Sequence, residues 1–154
     1  MNELAELVAR VRAEKDYERL AELVPYAKLI GVSFGEQPDG SLLFSLPYRP
    51  SNIGNALLPA LHGGVIAAFM EHSATLQLLW NMESTKLPKI IDFSIDYLRP
   101  GRPETLYADC SVVRQGQRVA NVAVNAWQGS PERVVATARM HFLLSRQAQP
   151  QSAD

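Results

Sequence analysis

Between Leu4 and Val24, apolar residues recur at helical spacing, Leu4, Leu7, Val8 and Val11 and then Leu20, Leu23 and Val24, with Glu, Arg and Lys between them. That spacing predicts an amphipathic helix over 3–24 that packs on something, ended by Pro25. Two short apolar runs, 30–36 and 41–47, flank the turn signal PDGS and read as a hairpin. Residues 48–60, YRPSNIGNALLPA, read as a loop, and a strongly apolar helix follows at about 63–82. After it come four strand-like stretches: IIDFSIDYL (90–98), TLYADCSVV (105–113), VANVAVNAW (119–127) and RVVATARMHFLL (133–144). Their links, PGRPE, RQGQR and QGSPE, are short turn material, which implies an antiparallel meander.

A single antiparallel sheet of about six strands must bury one face against something. Helix 63–82 is the only element apolar enough to fill that role. The expected class is α+β, a curved sheet wrapped around one helix. Residues 1–27 form an N-terminal helical extension, 28–145 the main domain, and 146–154 a tail expected to be disordered. No internal repeat or interdomain linker appears.

Composition narrows the partners more than the fold. The chain has 154 residues, 47% hydrophobic and 20% charged, with a formal net charge of -1. The arginines are scattered and form no aromatic-interleaved basic stripe, so neither nucleic acid nor an anionic membrane surface is an expected partner. No run has the length of a membrane span or the character of a signal peptide. Cys110 is the only cysteine, which rules out an internal disulfide and thiolate metal sites and makes the cytoplasm the expected address. His62, His72 and His141 have no ligand-set spacing, so no metal is expected.

One residue breaks the apolar helix. Glu71 falls on a narrow stripe with Gly64, Ala67, Thr75 and Leu78, and small residues flank it. A lone buried carboxylate costs several kcal/mol, of order, so it is either satisfied by a partner or used at a cleft. Glu71 and Thr75 are i,i+4 neighbours whose oxygens can share a water. The helix opens on Gly63–Gly64, whose first N–H groups lack intrahelical partners and sit at the positive end of the macrodipole. Glycine lets a ligand come close to that backbone, and such an end suits a carbonyl oxygen that gains negative charge.

The element order, LHGG, a glutamate nine residues after the histidine, and DFSIDYLRPGR together resemble the hotdog-fold acyl-CoA thioesterases of the phenylacetic-acid-degradation and 4-hydroxybenzoyl-CoA type. The resemblance covers about residues 28–145. It implies hydrolysis of an acyl-CoA to a free acid and CoA, with no cofactor. It implies Gly63 N–H as oxyanion donor, Glu71 as nucleophile or general base, Thr75 as its companion in the glutamate branch, and His62 as the residue that fixes the helix start. Gly64, Asn55, Arg99, Gly101, Arg114 and Arg118 are the implied substrate contacts, the arginines through CoA phosphates. Asn55 stands one position further from the histidine than the asparagine some relatives use. Ile90 departs from the pattern, because many relatives carry Ser or Thr there to hold the water.

Gly63 and Glu71 are eight residues apart, roughly 12 Å along a helix. A carbonyl and its attacking group lie about 3 Å apart. If these roles hold, the two groups come from different chains, so the expected assembly is a homodimer or dimer of dimers with the site at the subunit interface.

Plainer readings stand beside each assignment. Glu71 could pair with an arginine or cap a loop, and Thr75 could bond back to its own helix. His62 could be only a cap, and RQGQR only a turn with solvated arginines. His72, Ser73 and Gln77 read as structural. Phe69, Met70, Trp80 and Leu87 suit either an acyl pocket or the core. A non-catalytic hotdog module that binds acyl-CoA or lipid is the alternative function. A hydratase or dehydratase of the same fold ranks last, since those relatives lack HGG at the helix start.

Overall fold

The computed structural model describes residues 3–82 and 86–145. The expected disordered tail, 146–154, lies outside the described residues. Four helices and eight strands follow in chain order: α1 Glu3–Glu14, α2 Tyr17–Ala21, α3 Pro25–Ile30, β1 Ser33–Glu36, β2 Leu42–Leu46, β3 Ile53–Asn55, β4 Ala60–Leu61, α4 Gly63–Asn81, β5 Lys89–Tyr97, β6 Leu106–Gln115, β7 Val119–Trp127 and β8 Val134–Leu143.

Six strands form one antiparallel sheet in the order β1-β2-β6-β7-β8-β5. Alternate residues of its central strands face inward and are buried: Leu106 and Ala108 on β6, Val122, Val124 and Ala126 on β7, and Ala138, Met140 and Phe142 on β8. Against them lies α4, with Ile66, Phe69, Met70, Ala74 and Leu78 buried. Alanines on the sheet leave room for the larger helix side chains, each worth about 1.5–3 kcal/mol when fully buried. Phe69 and Met70 are fully buried core residues.

The four late strands are not a simple meander. Strands β6, β7 and β8 are consecutive neighbours, but β5 pairs with β8, and β6 pairs with β2 on its other side. The link after β5 therefore crosses the sheet end instead of making a hairpin. Gln128, fully buried, holds that crossing: its Oε1 accepts from Arg102 N at 2.8 Å, and its Nε2 donates to the carbonyls of Arg102 at 2.9 Å and Glu104 at 3.2 Å. Strand β5 ends up at the sheet edge, with one backbone flank unpaired among the described residues.

The expected single N-terminal helix is three. Lys15 takes a left-handed φ of 55°, and Asp16 caps α2 by accepting from Arg19 N at 3.4 Å. Pro25 opens α3 instead of closing a longer helix, because a proline at the first helical position sacrifices no intrahelical bond. Val8, Val11, Leu20, Ala21, Ala27 and Ile30 all enter the same core as the sheet. Trp80 is half-buried where these helices meet α4, with Tyr17 5.7 Å and Phe34 6.0 Å away between ring centroids. Arg12 covers its ring at 5.2 Å. The 48–60 loop carries more order than its composition suggests: a short 3-10 turn at Pro50–Asn52, then the β3–β4 pair.

Candidate functional site

Three segments meet at the start of α4. From below, Leu61 N donates to the Gly101 carbonyl and His62 N to the Asn52 carbonyl, both at 2.9 Å. Asn52 is itself buried and donates through Nδ2 to the Ile30 carbonyl at 2.8 Å. At Gly54, a Cβ would lie 2.7 Å from His62 Cα, so only glycine lets β3 run so close beneath the histidine. Gly101 is similarly confined, with Leu61 side-chain atoms 3.1 Å from where its Cβ would stand.

His62 is the N-cap of α4: its Nδ1 accepts from Gly64 N at 2.9 Å. An accepting Nδ1 places the proton of the neutral ring on Nε2, which is left as a donor. The His62 carbonyl accepts from Val65 N at 3.0 Å and Ile66 N at 3.1 Å. Opposite, the inward-facing Tyr97 at the end of β5 donates its hydroxyl to the Gly63 carbonyl at 2.6 Å. The Gly63 N–H has no hydrogen-bond partner among the described residues. It borders an open groove of about 300 Å³ lined by Leu61, Gly63, Ile66, Tyr97, Arg99 and Gly101, among others.

Two turns along α4 stands Glu71, half-buried. Its carboxylate has no ion-pair or hydrogen-bond partner among the described residues, and burial pushes its carboxyl above the usual glutamate range. One turn further, the Thr75 hydroxyl donates to the Glu71 backbone carbonyl at 3.0 Å. Thr75 and His72 also face a narrow apolar cavity formed by α4 with Leu20, Ala21, Val24 and Ala27 of the N-terminal helices, and Leu87 closes it. His72 packs near Tyr26, ring centroids 6.1 Å apart, and burial pushes its imidazole below the ordinary histidine value. Ser73 is buried and bonds back to the Phe69 carbonyl at 2.8 Å, while Gln77 bonds Asn81 at 3.0 Å.

The sequence-derived residues thus fall into three places. His62, Gly63, Gly64, Arg99 and Gly101 gather at the head of α4, with Asn55 beside them in β3. The Asn55 side chain accepts from Leu57 N at 3.0 Å and Leu58 N at 3.2 Å, shaping its own loop. Gly64 gives its N–H to the His62 cap, and the Arg99 Nη1 donates to the Val134 carbonyl. Glu71 and Thr75 sit mid-helix. Arg114 and Arg118 are exposed at the β6–β7 turn, by the opposite end of α4, where Gln115 Nε2 meets Met82 Sδ at 4.0 Å. Ile90, the second residue of β5, lies at that same end, facing inward opposite Phe142.

Two further residues, Tyr97 and Asn52, stand at the head of α4. Tyr97 lies within DFSIDYLRPGR, and the alternation of Phe93, Ile95 and Tyr97 along β5 is the signal that it faces the helix. Asn52 has only its place in an Asn-rich loop.

A family model for the thioesterase superfamily matches residues 58–140. The medium/long-chain acyl-CoA thioesterase YigI of Escherichia coli K12 is 29% identical over 110 residues, covering 63% of this chain and 71% of YigI. A crystal structure from Chromobacterium violaceum is 48% identical, covers 91% of this chain and 97% of its own, and superposes with a TM-score of 0.73. A Bacillus halodurans protein crystallised with CoA shares the fold at a TM-score of 0.74 and 22% identity, covering 96% of this chain and 97% of that one. With the family match spanning the head of α4, Glu71 and strands β5 to β7, the chain belongs to the thioesterase superfamily, and its sheet around α4 is the hotdog fold.

Proposed function

We propose that this member of the superfamily hydrolyses the thioester of an acyl-CoA to a free acid and CoA, with Glu71 as general base and the Gly63 N–H as oxyanion donor. The observation that carries the proposal is a half-buried carboxylate with no partner among the described residues, on the same helix as an unpartnered backbone donor. The names of the relatives agree on the substrate class: YigI is a medium/long-chain acyl-CoA thioesterase, and one fold neighbour was crystallised with CoA.

In this reading a water sits between Glu71 and Thr75. The Thr75 hydroxyl proton is held by the Glu71 carbonyl, which leaves the lone pairs of Oγ1 to accept one water hydrogen. The Glu71 carboxylate takes the other as the water oxygen attacks the thioester carbon. Charge that builds on the carbonyl oxygen meets Gly63 N–H at the positive end of α4. The C–S bond then breaks, and the CoA thiolate recovers its proton from Glu71. An elevated carboxyl pKa suits a base that must also return its proton.

The roughly 12 Å between Gly63 and Glu71 along one helix asks for two chains. Strand β5 supports the same reading, since among the described residues no strand pairs with its outer backbone edge, and Ile91 is 56% exposed. Arg114 and Arg118 lie at the far end of α4 from Gly63, so they reach a CoA held at Gly63 only from a partner chain in antiparallel orientation. Arg99 serves the same CoA from the near side. Gly64 and Gly101 let the backbone approach closely, and Asn55 fixes the loop beside it.

Ile90 favours a second reading, an acyl-CoA-binding module without turnover, because an aliphatic side chain stands near the start of β5 where a Ser or Thr hydroxyl would hold a water. Thiol release from a panel of aromatic and straight-chain acyl-CoAs, with wild type and Glu71→Ala in parallel, separates the two. Hydrolysis predicts turnover that collapses in the variant while the fold is kept. Ligand binding without thiol release would establish the module instead.

A further inference from the structure

We infer that Tyr97 is a positioning residue for the oxyanion donor, holding with His62 the peptide that follows Gly63. The inference rests on the hydrolytic reading above and adds a residue to it.

Two glycines in succession are a poor way to start a helix that must aim a backbone group. Glycine gives up more conformational freedom than any other residue, and each costs about 1 kcal/mol relative to alanine inside a helix. Gly63 and Gly64 nevertheless open α4. The peptide between them is gripped on both sides. Its carbonyl accepts from the Tyr97 hydroxyl at 2.6 Å, and its N–H donates to His62 Nδ1 at 2.9 Å. The preceding peptide, between His62 and Gly63, is held only through its carbonyl, which takes Val65 N and Ile66 N. Its N–H is the Gly63 donor. Fixing the planes on both sides of Gly63 Cα leaves that N–H as the sole unpaired polar group of the two peptides, with a set direction. The glycine freedom that lets a thioester approach is thus removed by side chains from outside the helix.

Tyr97 is suited to this by its place. It is the last inward-facing residue of β5, and its ring lies in ordinary contact, 3.4 Å, with the position a Gly63 Cβ would take. It is half-exposed and lines the groove at the head of α4, so its hydroxyl is not there to satisfy a buried core. Tyr97 joins the edge strand to the helix start at the Gly63 carbonyl, fixing the peptide plane that adjoins the donor's own.

The test uses the full chain, with wild type, Tyr97→Phe and Glu71→Ala. Phenylalanine keeps the ring and removes only the donated hydrogen bond. In Tyr97→Phe, kcat for thiol release should fall about tenfold, as expected when a catalytic group loses its alignment. KM and the thermal midpoint should stay near wild type, and the Gly64 amide should exchange with solvent at least several-fold faster. Wild-type kcat in Tyr97→Phe, or a loss confined to KM or to thermal stability, would overturn the inference. If the wild type releases no thiol from any acyl-CoA, the hydrolytic reading fails separately. The clamp is then judged by amide exchange alone, and unchanged Gly64 protection in Tyr97→Phe would overturn it.

Discussion

Thr75 gives its hydroxyl proton to the backbone carbonyl of Glu71 across 3.0 Å, one turn back along α4, so the two residues are joined through the main chain and not through the carboxylate. The donor is committed and the lone pairs are free. Thr75→Val, which keeps the shape and removes the acceptor, is expected to lower kcat about tenfold, within the span of a lost hydrogen bond to a reacting water. Thr75→Ser should retain most of the activity. Steady-state kinetics on the best acyl-CoA decide it, and equal rates in both variants would remove Thr75 from the mechanism.

Glu71 ties stability to pH with a definite sign. Burial raises its folded carboxyl pKa above the unfolded value, so the ionised form disfavours folding. The penalty is absent below the ordinary glutamate range, near about pH 4, and complete above the raised folded pKa. Glu71→Gln should therefore raise the thermal midpoint at pH 7 by about 2 °C, a small gain because half the side chain meets solvent. The difference should vanish as the pH falls to about 4. A variant less stable than wild type at neutral pH would mean that the carboxylate has a partner.

Gly63→Pro isolates the oxyanion donor. His62 is already extended at φ -62°, ψ 128°, as a residue before proline prefers, and the first helical position tolerates proline. The helix should form with its N–H donor gone, and kcat should drop about 10²–10³-fold. A near-wild-type rate would move the oxyanion site elsewhere.

Those substitutions also test where the two halves of the site come from. Co-expressed Glu71→Ala and Gly63→Pro chains form mixed dimers in which one site has both groups intact. Random pairing returns about a quarter of wild-type activity if the groups belong to different chains. No recovery above the separate variants would place both groups in one chain.

Gln128→Leu addresses the crossing that places Gly101. Three backbone groups of Arg102 and Glu104 lose a buried partner, so a destabilisation of about 2–3 kcal/mol is expected, lowering the thermal midpoint by several degrees. A midpoint within a degree of wild type would show that solvent replaces the glutamine.

Much of this was legible in the chain. The late strands are legible from their alternation, and α4 from its sustained apolar run after the Gly63–Gly64 start. In the N-terminal segment the named apolar positions lapse between Val11 and Leu20, the break at Lys15–Asp16 falls in that gap, and helical spacing on either side does not show that a lysine will turn left-handed. Pro25 signals a helix stop in the sequence, yet its backbone chemistry serves equally well as a start. The pairing of β5 with β8 was hidden because short links suggest neighbours, while Gln128, which holds the crossing link, sits in a different part of the sequence. At the site, the lone Glu71 and the Gly63–Gly64 start could be read from residue type. The Tyr97 bond could not, since it joins residues 34 positions apart and depends on a register that only the folded sheet sets.

The place of β5 also dictates an order of events as the chain is made. Its partner within the described residues is β8, so a nascent chain that has already emitted α4 and β5 must wait about two further strands before β5 can pair. At about 5–20 residues per second, residues 98–133, which separate them, take about two to seven seconds to appear. Throughout that interval an aliphatic edge strand has no ladder to join. Sheet closure therefore belongs to the last stage of folding, and a ribosome that stalls before residue 134 releases a chain whose β5 is open to whatever strand it meets first.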